Sequence, residues 1–157
     1  MQLTQKESSL VKDMTDQEKL CADKYRKNAK AAADPQLSSL FSSLATAEDT
    51  HLNTLNEIAA GSCPQTNLSG GSSGGSSGGA SMTFTAYHTS ETPEKKNDAF
   101  LCSDLLASEK HASHLYDTCI FEFTDDCVRQ TLNHIQKEEQ EHGKQIYDYM
   151  KTNGMYS

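Results

Sequence analysis

The chain has 157 residues, the length of one domain, and its 14 basic and 22 acidic side chains give a net charge of −8. This negative charge repels phosphate backbones and attracts cations, which argues against nucleic acid as a partner. No apolar run approaches the roughly 18–20 residues of a membrane span or forms a secretion signal, so we expect cytoplasmic synthesis and no membrane partner.

Helix start and stop signals divide the chain into four predicted helices. Asp34 and Thr92 each precede a proline, which suits the first position of a helix behind an N-cap. Gly61 and Gly154 stand where helices are expected to end. The predicted helices cover about residues 4–32, 35–60, 93–122 and 125–152.

Inward-facing positions in each predicted helix recur at alternating steps of three and four residues, the pattern of a helix with one buried face. Four such helices predict an all-α four-helix bundle. The stretch between the second and third helices holds seven of the nine glycines and has the composition of a flexible Gly/Ser-rich crossover. We expect one domain over residues 1–157, with a first helical hairpin (1–60), the linker (61–92) and a second hairpin (93–157).

The two halves of the chain repeat each other at an offset of 91 residues. The matching pairs are Leu10/Leu101, Asp13/Asp104, Glu18/Glu109, Lys19/Lys110, Tyr25/Tyr116, Asp34/Asp125, Glu48/Glu139 and His51/His142. Because the matches include both caps and core positions, they indicate two duplicated antiparallel hairpins. The crossover between them is long enough to run the length of the bundle.

A carboxylate interrupts the inward face of each helix, and the second and fourth helices add a histidine three residues later. Residues three apart share a helix face, so each Glu-x-x-His pair can bind one cation. In each hairpin, 16 residues separate the first carboxylate from the turn and 14 separate the turn from the second carboxylate. The two carboxylates are therefore expected at similar positions along the bundle axis. The side chains expected to meet at mid-bundle are Glu18, Glu48, His51, Glu109, Glu139 and His142.

Four carboxylates buried together are unstable without a cation, because like charges cannot all stay ionised in a poor solvent. Two divalent ions resolve this conflict, and mixed oxygen and nitrogen ligands suit iron or manganese better than calcium or structural zinc. The sequence therefore predicts a dinuclear site for two Fe or Mn ions. The alternative is a metal-free polar core.

The six positions resemble those of the ferritin-like di-iron carboxylate proteins, in which Glu from two helices and Glu-x-x-His from the other two build the site. Tyr25 follows Glu18 by seven residues, which is similar to a tyrosine near the metals in ferritins, and Tyr116 repeats it. Both tyrosines are candidates for a second shell around the metals, with a bridging carboxylate as the partner of each buried hydroxyl. We expect no fifth helix after residue 152, unlike in ferritin storage cages.

The ferritin-like resemblance also implies roles and an activity. It implies terminal ligation by Glu18 and Glu109, bridging by Glu48 and Glu139, and nitrogen ligation by His51 and His142. Reduced Fe or Mn in such a site would react with oxygen or peroxide, which implies oxidase or peroxidase/catalase-like activity.

Whole phrases of the sequence are similar to the spore coat protein F family of endospore-forming bacteria. They are Gln2-Leu-Thr-Gln-Lys-Glu7, Asp16-Gln-Glu-Lys-Leu-Cys21, Ser108-Glu-Lys-His111, Phe121-Glu-Phe-Thr124, Leu132-Asn-His-Ile-Gln-Lys-Glu138, Tyr147-Asp-Tyr-Met150 and Asn153-Gly-Met-Tyr156. This resemblance implies a place in the spore coat formed at sporulation, with other coat proteins as partners and a homo-oligomer left open. The alternative function is a purely structural coat component with a non-catalytic or empty site.

The five cysteines are odd in number and form no Cys-x-x-Cys pair, which excludes a zinc knuckle and a fully paired disulfide framework and indicates a reducing, intracellular origin. Cys21, Cys102 and Cys119 are expected to pack as small apolar side chains. Cys63 is expected to be exposed and is the better candidate for cross-linking within a coat.

Several other polar side chains are expected to lie away from the site. We expect His111, His114 and His134 to face water, and the charged run 137–141 to be solvated apart from Glu139. His88, in the linker, is a candidate to cover the site.

Overall fold

The computed structural model describes residues 1–64 and 82–156 and folds them into four helices without a strand. The helices are α1 (Gln5–Ala31), α2 (Pro35–Ala59), α3 (Pro93–Ile120) and α4 (Asp126–Thr152). The predicted all-α four-helix bundle is confirmed, and each helix end lies within two residues of its prediction. None of these helices is at once long and apolar enough to cross a membrane. The Gly/Ser-rich stretch 69–80, predicted to be flexible, lies outside the described residues.

Each helix begins at a side chain that accepts a hydrogen bond from its first turn. At α1, Thr4 and Glu7 form a reciprocal capping box. The N-caps of the other helices are Asp34, Thr92 and Asp125. Gly61 and Gly154 follow α2 and α4 with φ of +83° and +62°, in the left-handed region that favours glycine at a helix end.

Contacts at the helix ends fix the direction of each helix in the bundle. The side chain of Asn97, at the start of α3, donates a hydrogen bond of 3.0 Å to the carbonyl of Ala31, at the end of α1. At the opposite end, Lys6 pairs with Glu122, just beyond α3. Helices α1 and α3 are therefore antiparallel, and the crossover from α2 to α3 begins at one end of the bundle and finishes at the other.

Two apolar clusters fill the bundle, one toward each end. The cluster near the α1–α2 turn includes Tyr25, Leu37, Phe41, Leu105, Ile146 and Tyr149. The cluster near the α3–α4 turn includes Val11, Met14, Leu55, Ile58, Tyr116 and Leu132. The positions between them on all four helices carry the buried Glu and His side chains, so a polar layer crosses the middle of the core.

The described end of the crossover lies against one end of the bundle. The ring of Phe84 packs edge-on against Tyr149, with centroids 5.3 Å apart. The side chain of Gln36, at the start of α2, makes hydrogen bonds of 2.9 and 3.0 Å with the backbone of Thr85. Residues 82–87 form no strand, and the backbone of Thr85 bonds instead to the start of α2.

Cys63 and Cys127 form a disulfide that ties the chain after α2 to the first turn of α4. Their Cα atoms lie 6.3 Å apart although 64 residues separate them in sequence, so their spacing could not reveal the pair. A free, exposed Cys63 was therefore the wrong expectation, and a reducing origin does not predict this bond. The other three cysteines are buried thiols within the helices, as expected.

Candidate metal centre

The six side chains expected to converge do so, in the polar layer between the two apolar clusters. All are buried, with at most 5% of any of these residues exposed. They form two overlapping groups in which one ligand atom per residue lies within 4.8 Å of every other. One group is Glu18, Glu48, His51 and Glu139, and the other is Glu48, Glu109, Glu139 and His142. Glu48 and Glu139 thus stand in both groups.

In the first group, the imidazole of His51 points its Nδ1 atom into the layer. This nitrogen lies 2.7 Å from Oε1 of Glu139, 3.5 Å from Oε2 of Glu18 and 3.8 Å from Oε2 of Glu48. The ring is stacked near-parallel on that of His142, with centroids 5.6 Å apart. One nitrogen therefore faces three carboxylates from three different helices.

The second group places its imidazole in the same way. Nδ1 of His142 forms a hydrogen bond of 2.8 Å with Oε1 of Glu48 and lies 3.6 Å from Oε1 of Glu109. The arrangement follows from the repeat, because Glu109 and His142 are the counterparts of Glu18 and His51.

The two tyrosines each hold one glutamate of the opposite hairpin. Tyr25 donates a hydrogen bond to Glu109, and Tyr116 donates one to Glu18. The prediction that these hydroxyls contact the carboxylates shared by both groups is wrong. Each tyrosine lies about two turns from the glutamate of its own helix, and its hydroxyl crosses the interface between α1 and α3 instead.

Unpaired buried polar atoms are concentrated in this layer. Within the described residues, seven buried side-chain nitrogen or oxygen atoms lack a hydrogen-bond partner, and six of them belong to the cluster. The six are Oε2 of Glu18, Oε2 of Glu48, Nδ1 of His51, Oε2 of Glu109 and both carboxylate oxygens of Glu139. Two of these atoms, Nδ1 of His51 and Oε1 of Glu139, face each other at 2.7 Å without the alignment of a hydrogen bond. Buried polar atoms normally have a hydrogen-bond partner. Carboxylate oxygens and an imidazole nitrogen gathered without one fit the ligand set of a divalent cation.

Burial changes the acidity of the cluster carboxyl groups. It raises the pKa of Glu18 to about 8 and raises that of Glu139 well above its ordinary value. Burial alone would also raise the pKa of Glu48, but contacts with His142 and His51 outweigh it and hold that pKa below its usual range. Without a cation, the cluster therefore keeps some of its carboxyl groups protonated.

Burial acts on the pKa of the imidazoles in the opposite direction, because the charged form of histidine is the protonated one. Burial alone would lower the pKa of His51, but contacts with Glu138 and Glu139 outweigh it and raise that pKa well above the ordinary value. His142 follows the same balance, and its contact with Glu109 contributes to a pKa of about 9. A cation that binds here must displace these protons.

Glu138 is a member of the site that the sequence analysis missed. Its Oε2 atom lies 2.8 Å from Nε2 of His51, and only 33% of its side chain is exposed. The expectation that the charged run 137–141 is solvated apart from Glu139 is therefore wrong at this residue. Its spacing carried a signal, because Glu138 precedes His142 by four residues and shares its side of α4.

His88 does not cover the site. Its Nε2 atom lies 2.8 Å from Oδ2 of Asp98, eleven residues before Glu109 on α3 and thus at the end of the bundle. Asn153 holds the segment there by accepting a hydrogen bond of 3.0 Å from the backbone of His88. The three other histidines expected to face water, His111, His114 and His134, are exposed.

A groove between α3 and α4 leads from the surface to the cluster. Its volume is about 480 Å³, and Glu109 and Glu139 are among the residues that line it. Gly143, with no side chain, and Leu106 border it on facing helices. Glu109 and Glu139 thus border the groove, although at most 2% of either residue is exposed.

Comparison with known proteins identifies the second hairpin. Residues 97–157 match the family model described as the Coat F domain, a region that holds Glu109, Glu139 and His142. A stretch of 66 residues, 42% of the chain, is 32% identical to YusN, an uncharacterized protein of Bacillus subtilis strain 168. The chain spans about 60% of the length of that relative. No solved structure matches the chain significantly. The resemblance to the spore coat protein F family is confirmed over the second hairpin.

Proposed function

We propose that this chain, which carries a Coat F domain, is a ferritin-like protein of the spore coat that binds a dinuclear Fe or Mn centre at the six-residue cluster. The observation that carries the proposal is the set of six buried ligand atoms in one layer of the core that make no aligned hydrogen bond. An unpaired buried polar atom destabilises a fold by about 1–3 kcal/mol, so a shared cation is the simplest reason for gathering six of them.

The composition of the two groups supports two ions. Each group supplies one imidazole nitrogen and three carboxylates, a donor set that suits Fe or Mn. Glu48 and Glu139, which stand in both groups, would be shared by the two ions, while Glu18 and Glu109 would each hold one ion. Four carboxylates offset the charge of two divalent ions, which removes the conflict of burying like charges.

The origin of the ligands in the two groups supports the prediction that the two hairpins form a single domain. The first group takes three ligands from the hairpin 1–60 and Glu139 from the hairpin 93–157. The second group takes Glu48 from the first hairpin and three ligands from the second. Because neither hairpin completes a site by itself, the two hairpins are expected to fold together as one domain, with 61–92 as the linker between them.

The arrangement suits oxidase or peroxidase/catalase-like chemistry. A bound pair of Fe or Mn ions would supply the electrons for reaction with dioxygen or peroxide. Tyr25 and Tyr116 hold the two terminal glutamates in place through their hydroxyl groups. The groove between α3 and α4 would bring small molecules close to Glu109 and Glu139, which border it.

A purely structural coat component with a non-catalytic or empty site is the second candidate. It is favoured by hydrogen bonds that hold the layer together without a cation, such as the 2.8 Å bond between His142 and Glu48. The two candidates differ in turnover. A metal-loaded wild type that oxidises Fe(II) with oxygen or consumes peroxide faster than its Glu48→Ala variant supports the redox function, and equal rates support the structural one.

Metal stoichiometry tests the site itself. Protein purified without chelators is analysed for its elements, then stripped and titrated anaerobically with Fe(II) or with Mn(II). We expect two equivalents per chain in the wild type and loss of the second equivalent when His51 and His142 are both replaced by alanine. Glu141→Ala is the matched control, because Glu141 lies on α4 and makes no ion pair or side-chain hydrogen bond with the described residues. Failure to bind either ion, or two equivalents in the double variant, would contradict the proposal.

A further inference from the structure

The half of the cluster with Glu18 and His51 differs from the half with Glu109 and His142 in one contact, made on the side of the imidazole that faces away from the cluster. Nε2 of His51 lies 2.8 Å from Oε2 of Glu138. The repeat offset of 91 residues puts Ala47 at the position equivalent to Glu138. His142, the counterpart of His51, therefore receives no carboxylate from that position, and its Nε2 has no hydrogen bond within residues 1–64 and 82–156.

This contact changes what an imidazole can do as a ligand. A neutral imidazole whose Nε2–H donates to a carboxylate is held in the tautomer that presents the Nδ1 lone pair to the layer. The carboxylate also fixes the ring orientation and increases the basicity of the coordinating nitrogen. His51 has this support on the side away from the cluster, and His142 lacks it.

We infer that Glu138 is a positioning residue that makes the two metal sites unequal, so that the half with Glu18 and His51 takes the first divalent ion. The half with Glu109 and His142 takes the second. The inference rests on the proposed function, because it concerns the order in which the same cluster is filled.

The location of Glu138 makes the inference testable. The carboxylate approaches His51 on the inside and the exposed His134, at 3.4 Å, on the outside. One third of its side chain is exposed, so its replacement opens no cavity in the two apolar clusters. Glu138 reaches the layer through the imidazole of His51 and through no other contact with a cluster side chain in the described residues.

Titration of the metal-free protein with Co(II), followed by its d–d absorption, measures the two steps separately. We expect two steps in the wild type that differ at least tenfold in affinity. Glu138→Ala is expected to weaken the tighter step about 10–100-fold and to leave the weaker step unchanged. Glu138→Gln keeps an oxygen acceptor for Nε2–H and is expected to retain part of the affinity, while the control Glu141→Ala retains all of it.

Two further variants separate positioning from a general effect on the fold. Ala47→Glu places a carboxylate at the position equivalent to Glu138 and is expected to tighten the weaker step. In a His51→Ala background, Glu138→Ala is expected to cause no further loss, since its effect passes through that imidazole. A merely structural role would weaken both steps alike in either background and lower the unfolding midpoint of the metal-free protein.

The outcomes distinguish this inference from the proposed function. Two equal steps in the wild type, or equal weakening of both steps by Glu138→Ala, would overturn the inference and leave a dinuclear site intact. Absence of any Co(II) binding would overturn both.

Discussion

The hydroxyl of Tyr25, on α1, donates a hydrogen bond to the carboxylate of Glu109, on α3. The repeat reverses the relationship, so that Tyr116 on α3 donates to Glu18 on α1. Burial raises the pKa of both phenols well above the ordinary value, so both remain protonated donors. Each hairpin thereby supplies the group that holds a glutamate of the other.

Loss of either hydroxyl should destabilise the metal-free protein. Tyr25→Phe leaves an oxygen of Glu109 buried without its partner, which lowers the free energy of unfolding by about 1–3 kcal/mol. Urea denaturation in the presence of a chelator measures this, with the surface variant Tyr147→Phe as the control. An identical midpoint in the two variants would show that the hydroxyl has no such role.

The stability of the metal-free protein should fall as the pH rises. The pKa is raised to about 8 for Glu18 and about 9 for His142, and well above the ordinary values for Glu139 and His51. A raised pKa contributes stability that is complete below the ordinary value, 4.5 for Glu and 6.5 for His, and is lost as the pH rises through the folded value. The lowered pKa of Glu48 acts in the opposite direction but only below about pH 4.5.

Thermal unfolding in chelator at pH 6, 7, 8 and 9 measures this dependence. We expect the unfolding midpoint of the wild type to decrease from pH 6 to pH 9. The midpoint of the Glu18→Gln variant should decrease less, because the substitution removes one of the titrating groups. A midpoint that rises or stays constant between pH 6 and 9 would contradict the assigned directions. Divalent metal should bind more tightly at the higher pH, since it competes with the same protons.

Gly143 lies in the interior of α4, where glycine is about 1 kcal/mol less favourable than alanine. A Cβ atom added there would lie 3.5 Å from a methyl group of Leu106 and 3.9 Å from Cβ of Glu109, both ordinary contacts. Gly143→Ala should therefore raise the free energy of unfolding by about 0.5–1 kcal/mol in urea denaturation. A loss of stability would mean that the helices approach more closely than the structure shows.

A larger side chain at the same position tests the groove. Gly143→Leu should project into the space between α3 and α4 and slow metal uptake by the stripped protein several-fold while leaving two equivalents bound at equilibrium. Stopped-flow mixing with Co(II) measures the rate, and Gly143→Ala is the matched control. Equal rates in the two variants would show that ions enter by another route.

The disulfide should contribute strongly to stability because it closes a long loop. Its cysteines are 64 residues apart, and a bond across such a loop is worth about 2–4 kcal/mol. Reductant should therefore lower the urea midpoint of the wild type. The Cys63→Ser/Cys127→Ser double variant should already show the lower midpoint and should not respond to reductant. A wild type that is also insensitive would argue against the bond.

The sequence predicted the helices and the cluster because both depend on short-range spacing. Caps such as Asp34 and Thr92 act on the turn beside them, and the observed helices begin directly after these residues as expected. The heights of Glu18 and Glu48 follow from counting residues to the turn, since every residue adds about 1.5 Å along a helix. The repeat then placed the second hairpin by the same arithmetic.

The contacts that the sequence did not predict join one helix or segment to a neighbouring one. The partner of Tyr25 depends on how α1 packs on α3, and the contact between Glu138 and His51 depends on how α4 packs on α2. The Cys63–Cys127 bond depends on the path of the chain after α2. Counting residues gives the position of a side chain along a helix but not the rotation of one helix against its neighbour. None of these contact partners could therefore be read from spacing, which gave only the side of α4 on which Glu138 lies.

Anomalous scattering from a crystal of the metal-loaded protein is the most direct test of the central claim. Data collected at the edge of the bound metal, iron or manganese, should show two peaks in the layer of six side chains. One should lie beside Glu18 and His51 and the other beside Glu109 and His142, with Glu48 and Glu139 between them. A map without a peak inside the bundle, or with peaks only at surface carboxylates, would contradict the dinuclear site.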